Sequence, residues 1–154
     1  MGEIPTQCIE ETIEPEYEEI VEEQQIEEVE EELNFMKPVD GGHISSFYGA
    51  RYGRLHAGMD IALSTGSRIY ASEKGEVVYS GWCGNYGYLV RVKHKDGYET
   101  YYAHCSRLFV SVGDVVEKGQ EIALVGSTGN ATGPHIHFEI RLNGSPINPY
   151  GYIY

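Results

Sequence analysis

No run of apolar residues in this 154-residue sequence approaches the roughly 18 that a membrane helix needs. No basic stretch followed by an apolar one stands at the N-terminus, so no signal peptide is expected within this chain. Cysteine is scarce: Cys8, Cys83 and Cys105 are the only ones, and none is paired at the two-residue spacing of a structural zinc site. Their odd number argues against a disulfide framework and leaves a single Cys83–Cys105 bridge or buried free thiols as the alternatives. Positive charge is missing from residues 1–36, which hold 14 Glu and no Lys, Arg or Asp. The formal net charge of −13 is that segment's, because residues 37–154 carry 11 bases against 10 acids, a balance of +1. Neither part has the basic excess that binding to nucleic acid or anionic lipid requires.

In the acidic segment Ile26, Val29 and Leu33 fall at helical spacing. The surrounding glutamates repel one another, and so few apolar groups cannot offset chain entropy. Residues 1–36 are therefore expected to be an acidic tail or linker, disordered or partly helical. Lys37-Pro38 and Gly41-Gly42 mark its end, since Pro38 disfavours a helical Lys37 and the glycines break the chain again.

From residue 37 onward the texture changes, with 18 of the 19 glycines and 12 of the 13 tyrosines. Short β-rich runs alternate with Gly, Asn and Asp turns. Strands are expected at 59–63, 67–71, 75–81, 88–94, 98–104, 114–117, 121–125, 135–142 and 146–148, with Lys95-Asp96-Gly97 turning a hairpin. No 12-residue window has a helical stripe. Residues 37–154 read as an all-β domain of antiparallel sheets, large enough to bury a core without disulfides.

All six histidines lie in this domain: His43, His56, His94, His104, His135 and His137. In Pro134-His135-Ile136-His137-Phe138-Glu139-Ile140 apolar and polar residues alternate, as in a strand. His135, His137, Glu139 and Arg141 then share one face, while Ile136, Phe138 and Ile140 point into the core. The two imidazoles stand about 6–7 Å apart at their Cα atoms, so one can ligate a metal with the other beside it. His56-Ala57-Gly58-Met59-Asp60 would place His56 and Asp60 some 13 Å apart in a straight strand, and only a bend near Gly58 brings them together. At the end of the run Thr100, Tyr102 and His104, simple alternation puts the three on one face. Imidazoles with one carboxylate suit zinc with a position left open for water, and a spare histidine is then available for proton transfer. No His-Glu-x-x-His helix is present.

The residues that carry a family likeness are Phe47-Tyr48-Gly49-Ala50-Arg51, His56-Ala57-Gly58-Met59-Asp60, Tyr102-Ala103-His104, Gly119-Gln120-Glu121-Ile122, and the run from Gly126 to Glu139. With these in this order, the sequence resembles the lysostaphin/LytM-type zinc metallopeptidases over roughly residues 43–149. The resemblance implies a small antiparallel β domain with an active-site groove. It implies one Zn2+ held by His56, Asp60 and His137, and His104 with His135 as the catalytic pair around a metal-activated water. The implied activity is hydrolysis of peptidoglycan stems and cross-bridges outside the cytoplasmic membrane, with any export or anchor segment lying beyond this chain. Ala131, Ile136 and Cys105 depart from the common family residues without touching an implied ligand.

Further expectations concern the alternative function, the acidic tail and single residues outside the implied ligand set. A non-catalytic, zinc-bearing envelope interaction domain is the alternative to an enzyme. Val115-Val116-Glu117-Lys118-Gly119-Gln120 is similar to the hybrid β motif of carrier domains, without a modifiable lysine at a hairpin tip. The acidic tail is a spacer, a site for an envelope protein partner, or an inhibitory segment in which Asn34 or a nearby Glu reaches the metal. Glu139 is expected either to fix a histidine tautomer or to pair with Arg141, Arg51 to orient Asp60 or substrate, and His43 and His94 to lie at the surface.

Overall fold

The computed structural model describes Cys8 and residues 32–154. The described residues form twelve strands in chain order: β1 (His43–Ser46), β2 (Gly49–Arg51), β3 (Arg54–His56), β4 (Met59–Ala62), β5 (Arg68–Tyr70), β6 (Gly75–Trp82), β7 (Tyr88–Lys93), β8 (Tyr98–Leu108), β9 (Val115–Val116), β10 (Glu121–Val125), β11 (His135–Leu142) and β12 (Ser145–Ile147). One short helix, Tyr150–Ile153, ends the chain. The main sheet runs β1-β4-β11-β8-β7-β6-β9, with β10 pairing both β5 and β8, and β12 pairing β11. Strands β2 and β3 form a separate two-stranded hairpin. Every pairing is antiparallel, so the fold is the all-β one that the alternating runs imply.

Alternation decides what each face of the sheet buries. Ile136, Phe138 and Ile140 of β11 join Val90, Val92 and Tyr102 in the principal core. Each fully buried side chain of this kind contributes roughly 1.5–3 kcal/mol. The opposite face carries a second, smaller apolar cluster of Cys8, Cys83, Tyr86, Leu89, Tyr101 and Ala103. Beside it the polar members of β11 are also buried: His137, Glu139 and Arg141. The turn 95–97 closes β7 onto β8 as a hairpin, with Asp96 and Gly97 both at positive φ.

Several expectations change. Strands β1, β2 and β3 were not among the sequence-based strands; they are three or four residues long, too short for a periodic signal. The fold also begins before residue 37. Phe35 is buried against His94, Tyr98 and Tyr152, and the Met36 amide donates to the Ser72 carbonyl. The disulfide joins Cys8 to Cys83, not Cys83 to Cys105, while Cys105 is a free buried thiol in the principal core. Cys83 lies on the face opposite that core, which separates the two side chains. His94 is buried rather than superficial; its ring nitrogens bond the Lys74 carbonyl and the Thr100 hydroxyl. His43 is exposed, as expected. The disorder or partial helix expected of the acidic tail falls on residues outside those described.

Candidate metal centre

Two neighbouring strands bring the first pair of groups together. In the ladder between β11 and β4, His137 stands directly opposite Asp60. Directly opposed side chains share a face with Cβ atoms about 4.5–5.5 Å apart. Here His137 Nδ1 lies 2.8 Å from Asp60 Oδ1. His56 arrives from β3, and the chain does bend between it and Asp60: β3 ends at His56 and β4 starts at Met59. Gly58 sits in the bend, pressed onto β11. A Cβ there would fall 2.4 Å from the Phe138 carbonyl oxygen and 3.0 Å from His137 Cε1, so only glycine fits. The bend leaves His56 Nε2 3.3 Å from Asp60 Oδ2. One donor atom each from His56, Asp60 and His137 lies within 4.8 Å of the others.

Hydrogen bonds fix which nitrogen each ring offers. His56 Nδ1–H donates to the Phe47 carbonyl at 2.9 Å, turning Nε2 toward Asp60. His137 Nε2–H donates to Glu139 Oε2 at 2.8 Å, turning Nδ1 toward Asp60. His135 Nδ1–H donates to the Gly133 carbonyl at 2.9 Å, and its Nε2 lies 3.8 Å from Asp60 Oδ1. His104 Nδ1–H donates to the Thr128 carbonyl at 2.7 Å. Thr128 is itself held, its hydroxyl donating to the Cys105 carbonyl at 2.7 Å.

His104 does not lie where simple alternation places it. Tyr102 is in the principal core, yet the His104 ring is 4.8 Å from that of His135 and 6.0 Å from that of His137, on the other face. His104 has φ +62°, and β8 holds an extra residue relative to β7 between the Tyr102–Val90 and Cys105–Tyr88 pairs. This bulge puts the consecutive residues Ala103 and His104 on one face and returns Cys105 to the core. A non-glycine residue at positive φ is uncommon and marks a conformation imposed by its surroundings.

Glu139 takes both of the roles expected for it. Fully buried, it accepts from His137, from the Tyr86 hydroxyl at 2.8 Å, and from Arg141 Nε at 2.7 Å. Burial opposes its ionisation, but the bonds with His137 and the Arg141 charge outweigh it and hold the carboxyl below its ordinary pKa. For Asp60 burial likewise acts upward and is outweighed by His137 and His56, which take it well below the usual carboxylate range. Burial works against a charged His137, yet its two carboxylate partners push it up to about 9. Burial lowers His104 to about 4, so it is a neutral base at pH 7. Tyr86, raised by burial and by Glu139, stays a neutral donor. The support given by Tyr86 and Thr128 escapes sequence reasoning, because both act through partners more than 20 residues away.

The set of two imidazoles and one carboxylate fits a borderline-soft divalent ion such as zinc. Without an ion, the Nδ1 proton of His137 is the cation shared with Asp60. Cys105 is not part of the set, and its thiol, pushed up to about 12 by burial, is a poor ligand. Asn34 is remote from it: its amide donates to Glu73, and the adjacent Phe35 packs on Tyr98, six residues along β8 from His104.

Residues 54–149 match the model of peptidase family M23. The chain belongs to peptidase family M23. Among curated proteins it is similar to a DD-carboxypeptidase/endopeptidase of Neisseria meningitidis, Mpg, 42% identical over 120 residues, covering 74% of this chain and 28% of that protein. The murein hydrolase activator NlpD of Escherichia coli is 40% identical over 117 residues, covering 75% of this chain and 30% of its own. This chain thus spans less than a third of either relative. A zinc-containing peptidase from Vibrio cholerae has a similar fold, with a TM-score of 0.71 at 35% identity, covering 76% of this chain and 39% of that one.

Proposed function

We propose that this M23 domain is a zinc-dependent endopeptidase that hydrolyses the peptide cross-links of peptidoglycan. The observation that carries the reading is the convergence of His56, Asp60 and His137 with two further imidazoles whose Nδ1 protons are committed to backbone carbonyls. Zinc held by His56 Nε2, Asp60 and His137 Nδ1 would supply Lewis acidity, lowering the pKa of a bound water and polarising a carbonyl. His104, neutral at pH 7, accepts a proton at Nε2 and returns it to the leaving amine. His135, whose Nε2 is 3.8 Å from Asp60 Oδ1, would share that proton or steady negative charge on the peptide oxygen. Glu139, Tyr86 and Arg141 keep His137 in the tautomer that presents Nδ1.

Such a substrate lies outside the cytoplasmic membrane. The Cys8–Cys83 bridge supports that location, because disulfides persist in oxidising compartments. Among the described residues no helix is long and apolar enough to cross a membrane.

A second reading, an envelope domain that activates other hydrolases without cleaving peptides, is favoured by the likeness to a murein hydrolase activator. The deciding experiment incubates the zinc-loaded chain with cross-linked muropeptides of two chemotypes, one with glycine bridges and one with direct D-alanyl–diaminopimelate links. Products identified by mass spectrometry would name the bond. Cleavage should disappear with a chelator and in His104→Ala, the latter still binding zinc, whereas His137→Ala and Asp60→Ala should lose the metal. Zinc binding without cleavage of either chemotype would establish the second reading.

A further inference from the structure

The hairpin of β2 and β3 does more than deliver His56. Its ladder pairs Gly49 with His56, Ala50 with Leu55 and Arg51 with Arg54, across a tight turn in which Tyr52 and Gly53 both have positive φ. Residues directly opposed or two apart along a strand share a face. Arg51, Arg54 and His56 therefore lie on one face of the hairpin, and that face looks onto the metal centre. Arg51 Nη1 is 3.8 Å from Asp60 Oδ2 and donates to the Ser46 hydroxyl at 2.5 Å, while 47% of its side chain remains accessible. Arg54 is exposed and has no ion-pair partner among the described residues. Two like charges set opposite each other destabilise a hairpin unless an anion lies between or beside them. A metal at Asp60 draws on the same carboxylate that faces Arg51, which leaves the guanidinium fork with donors to offer. A planar carboxylate is the anion that such a fork binds best.

We infer that Arg51, with Arg54 across the turn, anchors a carboxylate of the peptide substrate beside the metal. This rests on the peptidase reading for the nature of the ligand, and on the hairpin alone for the site. The carboxylate has two possible sources in peptidoglycan: the C-terminus of an uncross-linked stem, or the side-chain carboxylate of a diaminopimelate residue within a cross-link.

Binding can be measured on the zinc-loaded His104→Ala chain, in which turnover is suspended. Calorimetry with a stem pentapeptide and its C-terminal amide tests the first source. A cross-linked dimer with the diaminopimelate carboxylate free or amidated tests the second. The expected result is that one of these pairs differs in Kd by about tenfold or more in favour of the free acid. Adding Arg51→Ala should abolish that difference with zinc still bound, and Arg51→Lys should restore part of it. The inference is overturned if neither pair differs, if the difference survives Arg51→Ala, or if Arg51→Ala weakens zinc binding and leaves peptide preference intact. Should the wild-type chain cleave nothing while the Kd pattern holds, the peptidase reading fails and the anchor stands.

Discussion

His137 Nε2 and Glu139 Oε2 are 2.8 Å apart, two residues apart on one strand and both fully enclosed. The strand period alone puts them on one face, and the enclosure makes the bond indispensable. A carboxylate buried this deeply is tolerable only when paired, and Glu139 spends its two oxygens on His137, Tyr86 and Arg141.

Glu139→Gln should therefore weaken zinc binding by roughly 10–100-fold, as loss of the outer partner of a metal-binding histidine does. Removing one member of the buried pair should also cost about 3–5 kcal/mol of stability by leaving Arg141 uncompensated. Competition with a chromophoric chelator reads the first effect and urea unfolding of the metal-free chain the second. Unchanged zinc affinity would show that Glu139 serves Arg141 alone.

Gly58→Ala tests the bend between two candidate ligands. The new methyl would meet the Phe138 carbonyl oxygen, which belongs to the β11 backbone and cannot rotate away. A loss of about 3 kcal/mol is expected, with reduced zinc occupancy because His56 and Asp60 are driven apart. Equilibrium unfolding and metal analysis on the purified variant check both.

Reduction of the Cys8–Cys83 bridge should lower stability by about 2–4 kcal/mol, since it closes a span of 75 residues. Both sulfurs are buried beside Tyr86 and Leu89, so the loss should appear as a lower Tm in the presence of a dithiol reductant. Cys8→Ser should have the low Tm in either condition.

His94 sets an acid limb on the stability curve. Burial lowers its folded pKa to about 4 against an ordinary 6.5, although the Lys74 carbonyl and the charge of Glu73 act the other way. The unfolded chain thus binds more protons between those values, and stability falls as pH drops from about 6.5 toward 4. The full effect is about 3 kcal/mol, at roughly 1.4 kcal/mol per unit. Denaturant midpoints of the metal-free chain at several pH values should show that slope together with the similar contribution of His104, which burial also lowers to about 4, and His94→Gln should remove its own share. A slope equal to the wild type's would assign the acid limb to other groups.

Periodicity and motif made much of this molecule legible. Residues 135–142 alternate so regularly that β11, its core face and its polar face are determined by sequence alone, as is the bend required at Gly58. The charge of residues 1–36 is equally plain in the sequence. The tertiary structure decided what periodicity cannot contain. His104 reaches the face of His135 and His137 only through an extra residue in β8 and a left-handed backbone, a one-residue shift that inverts every alternation argument beyond it. Cys8 finds Cys83 rather than Cys105 because the two faces of the sheet hold different cysteines. His94 is buried because Phe35, from the edge of the acidic segment, covers it. Local pattern follows from each residue's own geometry, whereas these three outcomes depend on which distant strand supplies the neighbour.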